Sequence, residues 1–320
     1  MRRCFLSFAA ALAFALPALA QVPPTIYGTM SNFDVFNQTS TDAYGAEMEL
    51  EGVHSNEVTN TYPSHYSSRN QVEYTNGVVY GTRISFTGYN FNASGFLAPS
   101  AGQSTNGHFC VNIPGCEHFG FAVNAQPSAT RYYWLDQNGQ RIGVNPMSVP
   151  TPTWSLQPQG GARPPLVVAE VQVPEPAEAH ALLPDSVWVK VYKTELDRPV
   201  DLAELISHGG VVPEDVAEIE SEWELLEGGK ALDHQDDFHN GKDSVIRRYE
   251  FFKYTGAYNA EHEPLSAFAG GDPPAGELGA FIAANMAAVN FAPAPVPEPG
   301  MIYLLLLAVP GILRRRNWRR

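Results

Sequence analysis

The densest group of side chains able to bind a cation lies in the segment ALDHQDDFHNGKDS, residues 231–244. Oxygen-rich clusters of this kind hold calcium in proteins. Alignment of Gly241 with the glycine of an EF-hand loop places Phe238 and Arg247 where acidic ligands are needed, so the EF-hand motif is excluded. A polar loop between two strands is the simpler interpretation, and no cofactor other than calcium is indicated. The calcium candidates are Asp236, Asp237, Asn240 and Asp243, with His234 and His239 among them.

Two cysteines, Cys110 and Cys116 in HFCVNIPGCEHF, remain if the N-terminal segment containing Cys4 is removed. The flanking His108 and His118 leave a zinc site open as an alternative. The C-x5-C spacing is not the usual pair spacing of structural zinc sites, however. A disulfide is therefore predicted, and closing so small a loop would stabilise the fold by about 2 kcal/mol.

Motifs typical of enzymes are missing from the sequence. It contains no G-x-S-x-G, H-E-x-x-H, P-loop or G-x-G-x-x-G pattern. Carboxylates are numerous, but a glycosidase pair is defined by a separation in space that sequence does not show. The aromatic residues in FTGYNF and RYYWLD could form a platform for sugars, although such residues in β-rich proteins are more often core. No catalytic activity is predicted.

Composition narrows the class of protein. Of 320 residues, 44% are apolar, and glycine and proline number 27 and 26, which favours many short strands joined by turns. Seven of the 20 basic residues lie at the two ends of the chain, so residues 21–297 hold 13 basic and 33 acidic side chains, a net charge of −20. A body so acidic is not expected to bind nucleic acid, which proteins contact through Lys and Arg.

Strand patterns dominate residues 21–142, which we predict to be a β-rich domain. In AYGAEMELE, Tyr44, Ala46, Met48 and Leu50 alternate with glutamates, which indicates a half-buried strand with a wet acidic side. Turn signals stand at Asn76-Gly77 and Asn138-Gly139. The other strands are predicted at 26–36, 72–75, 78–89, 119–123 and 132–135.

Residues 143–165, GVNPMSVPTPTWSLQPQGGARPP, are rich in proline and glycine and are predicted to be an interdomain linker. Strand patterns resume at 166–173, 187–193 and 245–254, with a short helix predicted at 201–207. EIESEWELL, residues 218–226, fits either a helix or a strand, and its strand neighbours favour a strand. Residues 280–291 could be a final strand or a helix. We predict a mainly β protein with two antiparallel β-sandwich-like domains, 21–142 and 166–291, joined by this linker, and with a hydrophobic helix at each end of the chain.

The first 20 residues have the three parts of a secretory signal peptide. Arg2 and Arg3 precede an apolar stretch from Cys4 to Leu16, and Ala18-Leu19-Ala20 is a small-residue cleavage site before Gln21. The apolar stretch is short for a retained membrane helix, which needs about 20 residues. Export of the mature chain is predicted.

The C-terminal end begins with a proline-rich spacer, residues 292–299, which includes Pro297, Glu298 and Pro299. In the tail that follows, residues 300–320, Met301–Leu313 are apolar and uncharged, so a hydrophobic helix is predicted. At 1.5 Å per residue that helix would span roughly 20 Å, short of a hydrocarbon core of about 30 Å. The basic tail consists of Arg314, Arg315, Arg316, Arg319 and Arg320, which the positive-inside rule keeps in the cytoplasm.

This combination of Pro-Glu-Pro, apolar segment and arginine cluster resembles the PEP-CTERM sorting signal, also catalogued as the C-terminal region of ice-binding proteins. The resemblance covers about 25 residues. It implies a Gram-negative host, recognition by an integral-membrane exosortase as partner, cleavage near the tripeptide, and a final place at the cell surface or outside the cell, often with exopolysaccharide. No array of Thr-x-Thr strands supports ice binding. A plain C-terminal membrane anchor is the alternative.

The tetrapeptide VPEP occurs twice, at Val173–Pro176 and Val296–Pro299, and only the second copy is followed by an apolar run and arginines. The first copy follows a predicted strand and is expected to be an ordinary loop. The chain is thus predicted to be a non-enzymatic surface or matrix protein. A carbohydrate-binding module for the host's own exopolysaccharide is the alternative, and an extracellular hydrolase is third.

Overall fold

Antiparallel β-strands make up most of the computed structural model. It describes residues 24–37, 39, 41–62, 66–88, 116–144, 146–147, 149–159, 165–174, 184–207, 219–237 and 242–292. The predicted signal peptide, the Pro-Glu-Pro motif, the basic tail and both predicted terminal helices lie outside these residues. Within the described part of the chain, no helix is long and apolar enough to cross a membrane.

The described chain contains fourteen strands, one α-helix and a 3₁₀ turn at Ser55–Glu57. The strands are β1 Thr25–Phe36, β2 Gly45–Glu51, β3 Val58–Tyr62, β4 Ser68–Asn76, β5 Val79–Thr87, β6 Cys116–Val123, β7 Ala129–Leu135, β8 Thr153–Gln157, β9 Leu166–Gln172, β10 Ser186–Leu196, β11 Glu220–Glu227, β12 Ala231–Asp237, β13 Ser244–Tyr254 and β14 Leu278–Ala292; helix α1 is Leu202–Ser207.

The strands form three sheets. The large sheet has the order β11-β10-β13-β14-β1-β6-β3, the four-stranded sheet β4-β5-β2-β7, and the three-stranded sheet β12-β9-β8. The first and last strands of the described chain are neighbours in the large sheet. Strand β1 pairs with β14 from Thr25 opposite Ala292 to Asp34 opposite Ala284. The mainly β prediction is confirmed.

The predicted division into two domains is corrected by the sheet order. The large sheet takes β1, β3 and β6 from residues 21–142 and β10, β11, β13 and β14 from residues 166–291. Residues Pro24–Pro293 accordingly form one compact unit. The predicted linker contains β8, whose Trp154 is buried and whose strand pairs with β9. Segment 143–165 is therefore partly built into the fold.

One face of the large sheet packs on the four-stranded sheet. Phe33 of β1 and Phe119 of β6 meet Tyr132 and Trp134 of β7, with ring centroids 4.3 Å apart for Phe33–Tyr132 and 6.0 Å apart for Phe119–Trp134. The same face packs farther along on the three-stranded sheet. The valines and large side chains of that second contact are Val171, Val187, Val189, Leu232, Tyr249 and Phe251.

Helix α1 covers part of the opposite face. Leu202 and Leu205 pack with Met30, Ala122 and Met286. Two buried asparagines of the sheet form hydrogen bonds with the backbone of this region. These bonds satisfy polar groups that would be costly to bury without partners. Asn32 Nδ2 donates to the Leu205 carbonyl at 3.0 Å, and Asn290 Oδ1 accepts from the Val200 amide at 3.0 Å.

Local patterns gave most elements. The strand preference for residues 218–226 is confirmed by β11, and residues 280–291 lie within strand β14. The β4–β5 hairpin is present, but Asn76 pairs with Val79, so its two loop residues are Gly77 and Val78, one position later than predicted. Gly77 has a positive φ of 65°, a conformation that glycine adopts without steric cost. Strands β3, β8 and β12 were not predicted.

Candidate functional site

Three metal-ligand side chains meet where the outer strand of the large sheet faces the outer strand of the three-stranded sheet. Glu222 and Glu224 lie on β11 and His234 lies on β12. Glu222 and Glu224 share a face because alternate residues of a strand point the same way. They pair with Val191 and Val189, whose side chains are buried between the two sheets, so this face of β11 is directed toward the three-stranded sheet.

The donor atoms of this cluster are close together. His234 Nε2 lies 3.0 Å from Glu222 Oε1 and 3.1 Å from Glu224 Oε1. One donor atom of each residue lies within 4.8 Å of the other two. Although both oxygens are within hydrogen-bonding distance, neither Nε2 nor Nδ1 of His234 forms a hydrogen bond of acceptable direction. The two N···O distances alone would suggest an ion pair. The angles at these contacts exclude an ordinary hydrogen bond, which weakens steeply when donor and acceptor are misaligned.

Burial differs sharply among the three residues. The His234 side chain is only 9% exposed, whereas the side chains of Glu222 and Glu224 are 59% and 33% exposed. The imidazole is therefore fixed at the base of the cluster, and its ring centroid lies 5.8 Å from that of Tyr249. Glu222 leaves the cluster open to solvent.

The charges around the cluster come from β10 and β13. Lys193 Nζ lies 2.9 Å from Glu195 and 3.8 Å from Glu220, so its charge is balanced by those two carboxylates. Buried Arg247 stands on β13 in register with Lys193. Burial raises the pKa of Tyr249 to about 12. The charge and hydrogen bond of Arg247 lower this pKa, and the charges of Glu224 and Glu222 raise it by a smaller amount. The charges of Glu222 and Glu224 therefore act on a tyrosine that is buried in the core.

The predicted calcium segment is divided by secondary structure. Asp236 and Asp237 belong to strand β12, which pairs with β9, and not to a loop. The side chains of Asp236 and Asp237 and all of Asn240 lie outside what the structure describes. Asp243 is half-buried before β13, where its amide donates to the Leu196 carbonyl at 2.8 Å. Calcium binding at these four residues stays a prediction.

The cysteine pair cannot be placed, because Cys110 and the side chain of Cys116 lie outside the described residues. Cys116 is the first residue of β6. Two residues on, the buried His118 Nδ1 lies 2.5 Å from Asp34 Oδ1 on β1. Asp34 thus occupies one nitrogen of the histidine proposed as the alternative zinc ligand. The disulfide stays a prediction.

Asp34 and His118 belong to a buried polar patch on the face of the large sheet that also carries α1. The Tyr62 ring meets the His118 ring edge-on at 5.3 Å. Burial, with the charges of Glu117 and Asp34, raises the pKa of Tyr62 to about 12. On β13 of the same sheet face, buried Arg248 donates through Nε to Glu250 at 2.8 Å. This patch is a second concentration of buried charge.

The acidic side of β2 is not wet, contrary to expectation. Glu47, Glu49 and Glu51 do share one face, and Ala46, Met48 and Leu50 are buried on the other. Three arginines from neighbouring segments cover the glutamates, however, and leave the Glu49 side chain only 8% exposed. The arginines are Arg83, Arg131 and Arg141.

The proposed sugar platform is not formed by the described members of FTGYNF and RYYWLD. Phe86, Tyr132 and Trp134 are buried in the core between the sheets. Tyr133 lies beneath the guanidinium of Arg141, 3.7 Å from the ring centroid. Tyr89 and Phe91 lie outside the described residues. The simpler interpretation of these aromatics as core is confirmed for the four residues that are described.

A recess of about 310 Å³, including its open mouth, lies beside Trp154. Its lining includes the side chains of Thr29, Ser31 and Thr151, but most of the lining surface is apolar. Asn285 Nδ2 donates to Ser31 Oγ at 2.9 Å behind it. No titratable side chain is among its lining residues, so it holds neither an acid nor a base.

Comparison with protein families, curated proteins and solved structures yields no match for this chain. The geometry of its own residues must therefore carry any assignment. Sequence reasoning singled out His234 but missed Glu222 and Glu224. Their alternation in EIESEWELL was the available signal, since it places both carboxylates on one side of a strand.

Proposed function

We propose that this chain is an exported protein that an exosortase-type membrane enzyme processes at the C-terminal tail, and that acts without catalysis at the cell surface or in the extracellular matrix. The proposal rests on the resemblance of the tail to PEP-CTERM signals and on the signal-peptide pattern of residues 1–20. A transient membrane anchor in the tail is part of it. Exopolysaccharide is the expected surrounding of the mature protein.

One structural observation supports this proposal most. The compact unit, Pro24–Pro293, begins three residues after Gln21 and ends four residues before Pro297. Both proposed cleavage regions therefore fall outside the unit, and removal of both ends would leave every described strand in place. Thr25 and Ala292, which are paired, close the unit at both of its ends.

The first VPEP copy provides a comparison inside the same chain. Val173 is buried, donates its amide to Lys230 and accepts from the Gly229 amide. This copy therefore starts within the fold at the end of β9, as expected for an ordinary loop. The second copy falls outside the compact unit Pro24–Pro293.

Intact mass spectrometry of the protein recovered from its native host tests the proposal. The wild type is expected to begin near Gln21 and to end near Pro297–Pro299. Substitution Glu298→Ala should retain the basic tail in the recovered protein. Glu175→Ala changes the equivalent glutamate of the first VPEP copy, and it should be processed like the wild type. A wild-type protein that keeps its arginine cluster would leave only a membrane anchor.

A carbohydrate-binding function is the second candidate, and a row of half-buried aromatic rings favours it. On the large sheet, Trp223 and Phe252 have ring centroids 5.6 Å apart, and Phe252 and Phe281 have centroids 5.7 Å apart. Lys190 lies 5.1 Å above the Trp223 ring. Aromatic faces beside polar groups suit sugar rings. The interplanar angles of 48° and 73° make the row uneven, which ranks this candidate second.

Binding of the mature protein to the host's own exopolysaccharide, and to a glycan array, tests this candidate. Trp223→Ala should abolish binding. Tyr80→Ala removes an exposed aromatic ring from the four-stranded sheet and should leave binding unchanged. Equal binding by both variants would exclude the aromatic row as the site.

A further inference from the structure

We propose that Glu222, Glu224 and His234 bind one divalent transition-metal ion, with Zn²⁺ the best fit, and that the ion joins the outer strands of two sheets. This inference is independent of the sorting proposal. It concerns β11 of the large sheet and β12 of the three-stranded sheet, which are paired with different neighbours and not with each other.

The state of His234 is the observation that points to a ligand. Its side chain is more than nine-tenths buried, and neither ring nitrogen has a hydrogen-bond partner. A buried polar group without a partner is costly, so native structures rarely keep one without a reason. Nε2 lies 3.0 Å from Glu222 Oε1 and 3.1 Å from Glu224 Oε1, yet it forms a hydrogen bond with neither. An ion located between the three residues would give that nitrogen a partner.

The distances fit metal coordination. Ligand atoms about 2.0–2.1 Å from a zinc ion are about 2.9 Å apart at a right angle and about 3.4 Å apart at the tetrahedral angle. The two N···O distances here, 3.0 and 3.1 Å, lie within that interval. The Glu222–Glu224 pair has the freedom to adjust, since Glu222 is the most exposed member of the cluster.

The chemistry of the donors selects the class of metal. Calcium and magnesium take oxygen ligands, whereas imidazole nitrogen suits zinc, copper, iron and nickel. Two carboxylates with a neutral imidazole would balance the charge of a divalent ion. Lys193 is already matched by Glu195 and Glu220, and buried Arg247 on β13 stands in register with Lys193. Three protein ligands leave the fourth position of a tetrahedral zinc site to water.

The position of the cluster indicates what the ion does. A ligand pair on β11 and a single ligand on β12 would connect the two sheets at a margin where Glu222 is open to solvent. Metal that binds only the folded state stabilises it in proportion to its concentration above the dissociation constant. The role we infer is therefore a cross-link between the two sheets.

The test uses the full mature chain, first freed of metal with a chelator and then titrated with Zn²⁺ alone. Calorimetric titration is expected to give one site per chain, and the melting temperature should rise with added Zn²⁺. Glu222→Gln, at an exposed position that leaves the fold intact, should weaken zinc binding by at least about tenfold, as loss of metal-site support does. His234→Gln should do the same and remove the thermal shift.

Asp233→Asn is the matched control, because Asp233 is an exposed carboxylate beside His234 on β12 but lies outside the cluster, on the other face of that strand. It should bind zinc like the wild type. A thermal shift of equal size in the Glu222→Gln variant would overturn the proposal, since binding would then occur elsewhere. Absence of any zinc effect on the wild type would also overturn it and would leave the cluster as a polar contact between the two sheets. Calcium at the same concentrations should have no effect that depends on Glu222.

Discussion

Glu49 and Arg141 are 92 residues apart in the chain, and Arg141 Nη2 donates to Glu49 Oε2 at 2.6 Å. Arg83 Nε donates to the same oxygen at 3.0 Å, and Arg131 Nη1 donates to the other oxygen at 3.2 Å. Glu49 therefore connects β5, β7 and the segment after β7 on one face of β2. Burial alone would raise its pKa, but the hydrogen bonds from Arg141 and Arg83 outweigh burial and lower it.

Acid should remove the stabilisation that Glu49 provides. Because the pKa of Glu49 is lower in the folded state than in the unfolded state, its contribution is complete above the ordinary carboxyl pKa and is lost as the pH falls through the folded pKa. At neutral pH, Glu49→Gln should lower the free energy of unfolding by about 1–2 kcal/mol, since the arginines are partly solvated. Denaturant titrations from pH 7 to pH 2 should show the variant and wild type converging. Equal losses for the two proteins would contradict this, and the exposed Glu261→Gln should behave like the wild type.

The buried Asp34–His118 contact should be costly to break from one side. Asp34→Ala is expected to lower the free energy of unfolding by about 3 kcal/mol, because His118 loses an acceptor in the interior. A double-mutant cycle with His118→Leu, followed by chemical denaturation, measures the coupling. The double variant should lose clearly less than the sum of the two single variants. Strict additivity would show that the contact contributes no net stability.

The two halves of the chain should not fold separately. A fragment of residues 21–142 has β1 without its partner β14 and without α1 against its outer face. It should lack the cooperative thermal transition that residues 24–293 show, as followed by circular dichroism. A cooperative transition of the shorter fragment would restore the two-domain interpretation.

Gly45 should not accept a side chain. A Cβ atom there would lie 2.2 Å from the Phe86 carbonyl oxygen, which is backbone and cannot rotate away. Gly45→Ala is expected to cost about 1–3 kcal/mol of stability through strain between β2 and β5. Gly28→Ala on β1 is the control, because its nearest neighbour would be 3.4 Å away. Thermal denaturation of both variants distinguishes a local clash from a general loss of strand flexibility.

Alternation of side chains made most strands predictable, and the exceptions share a cause. Strand β2 is predictable from the sequence because Ala46, Met48 and Leu50 alternate with glutamates. β8 is five residues long between proline-rich segments, and its partner β9 supplies the hydrogen bonds that define it. β12 consists largely of polar residues and is stabilised by pairing with β9, more than fifty residues earlier. Such strands depend on distant partners that local pattern does not contain.

The same limit applied to the domains and to the candidate metal site. A proline-rich segment indicates a break in regular structure, but it does not show whether strands before and after it share a sheet. Likewise, the alternation of Glu222 and Glu224 defined a face, but nothing in the sequence indicated that His234 stands opposite. The fold determines which strands of two different sheets face each other. The metal-ligand cluster could therefore be found only in the structure.

The position of β1 between β14 and β6 also sets an order of events in time. β1 is among the first segments of the compact unit to be synthesised, and its neighbour β14 is the last. Contacts between residues so far apart in sequence form slowly, because a long loop must close first. For a chain exported N-terminus first, as proposed, the large sheet cannot be completed until residue 292 has crossed the membrane. Because the large sheet forms late, the chain would stay unfolded while it crosses the membrane. The pairing of β1 with β14 therefore both completes the large sheet and delays its formation.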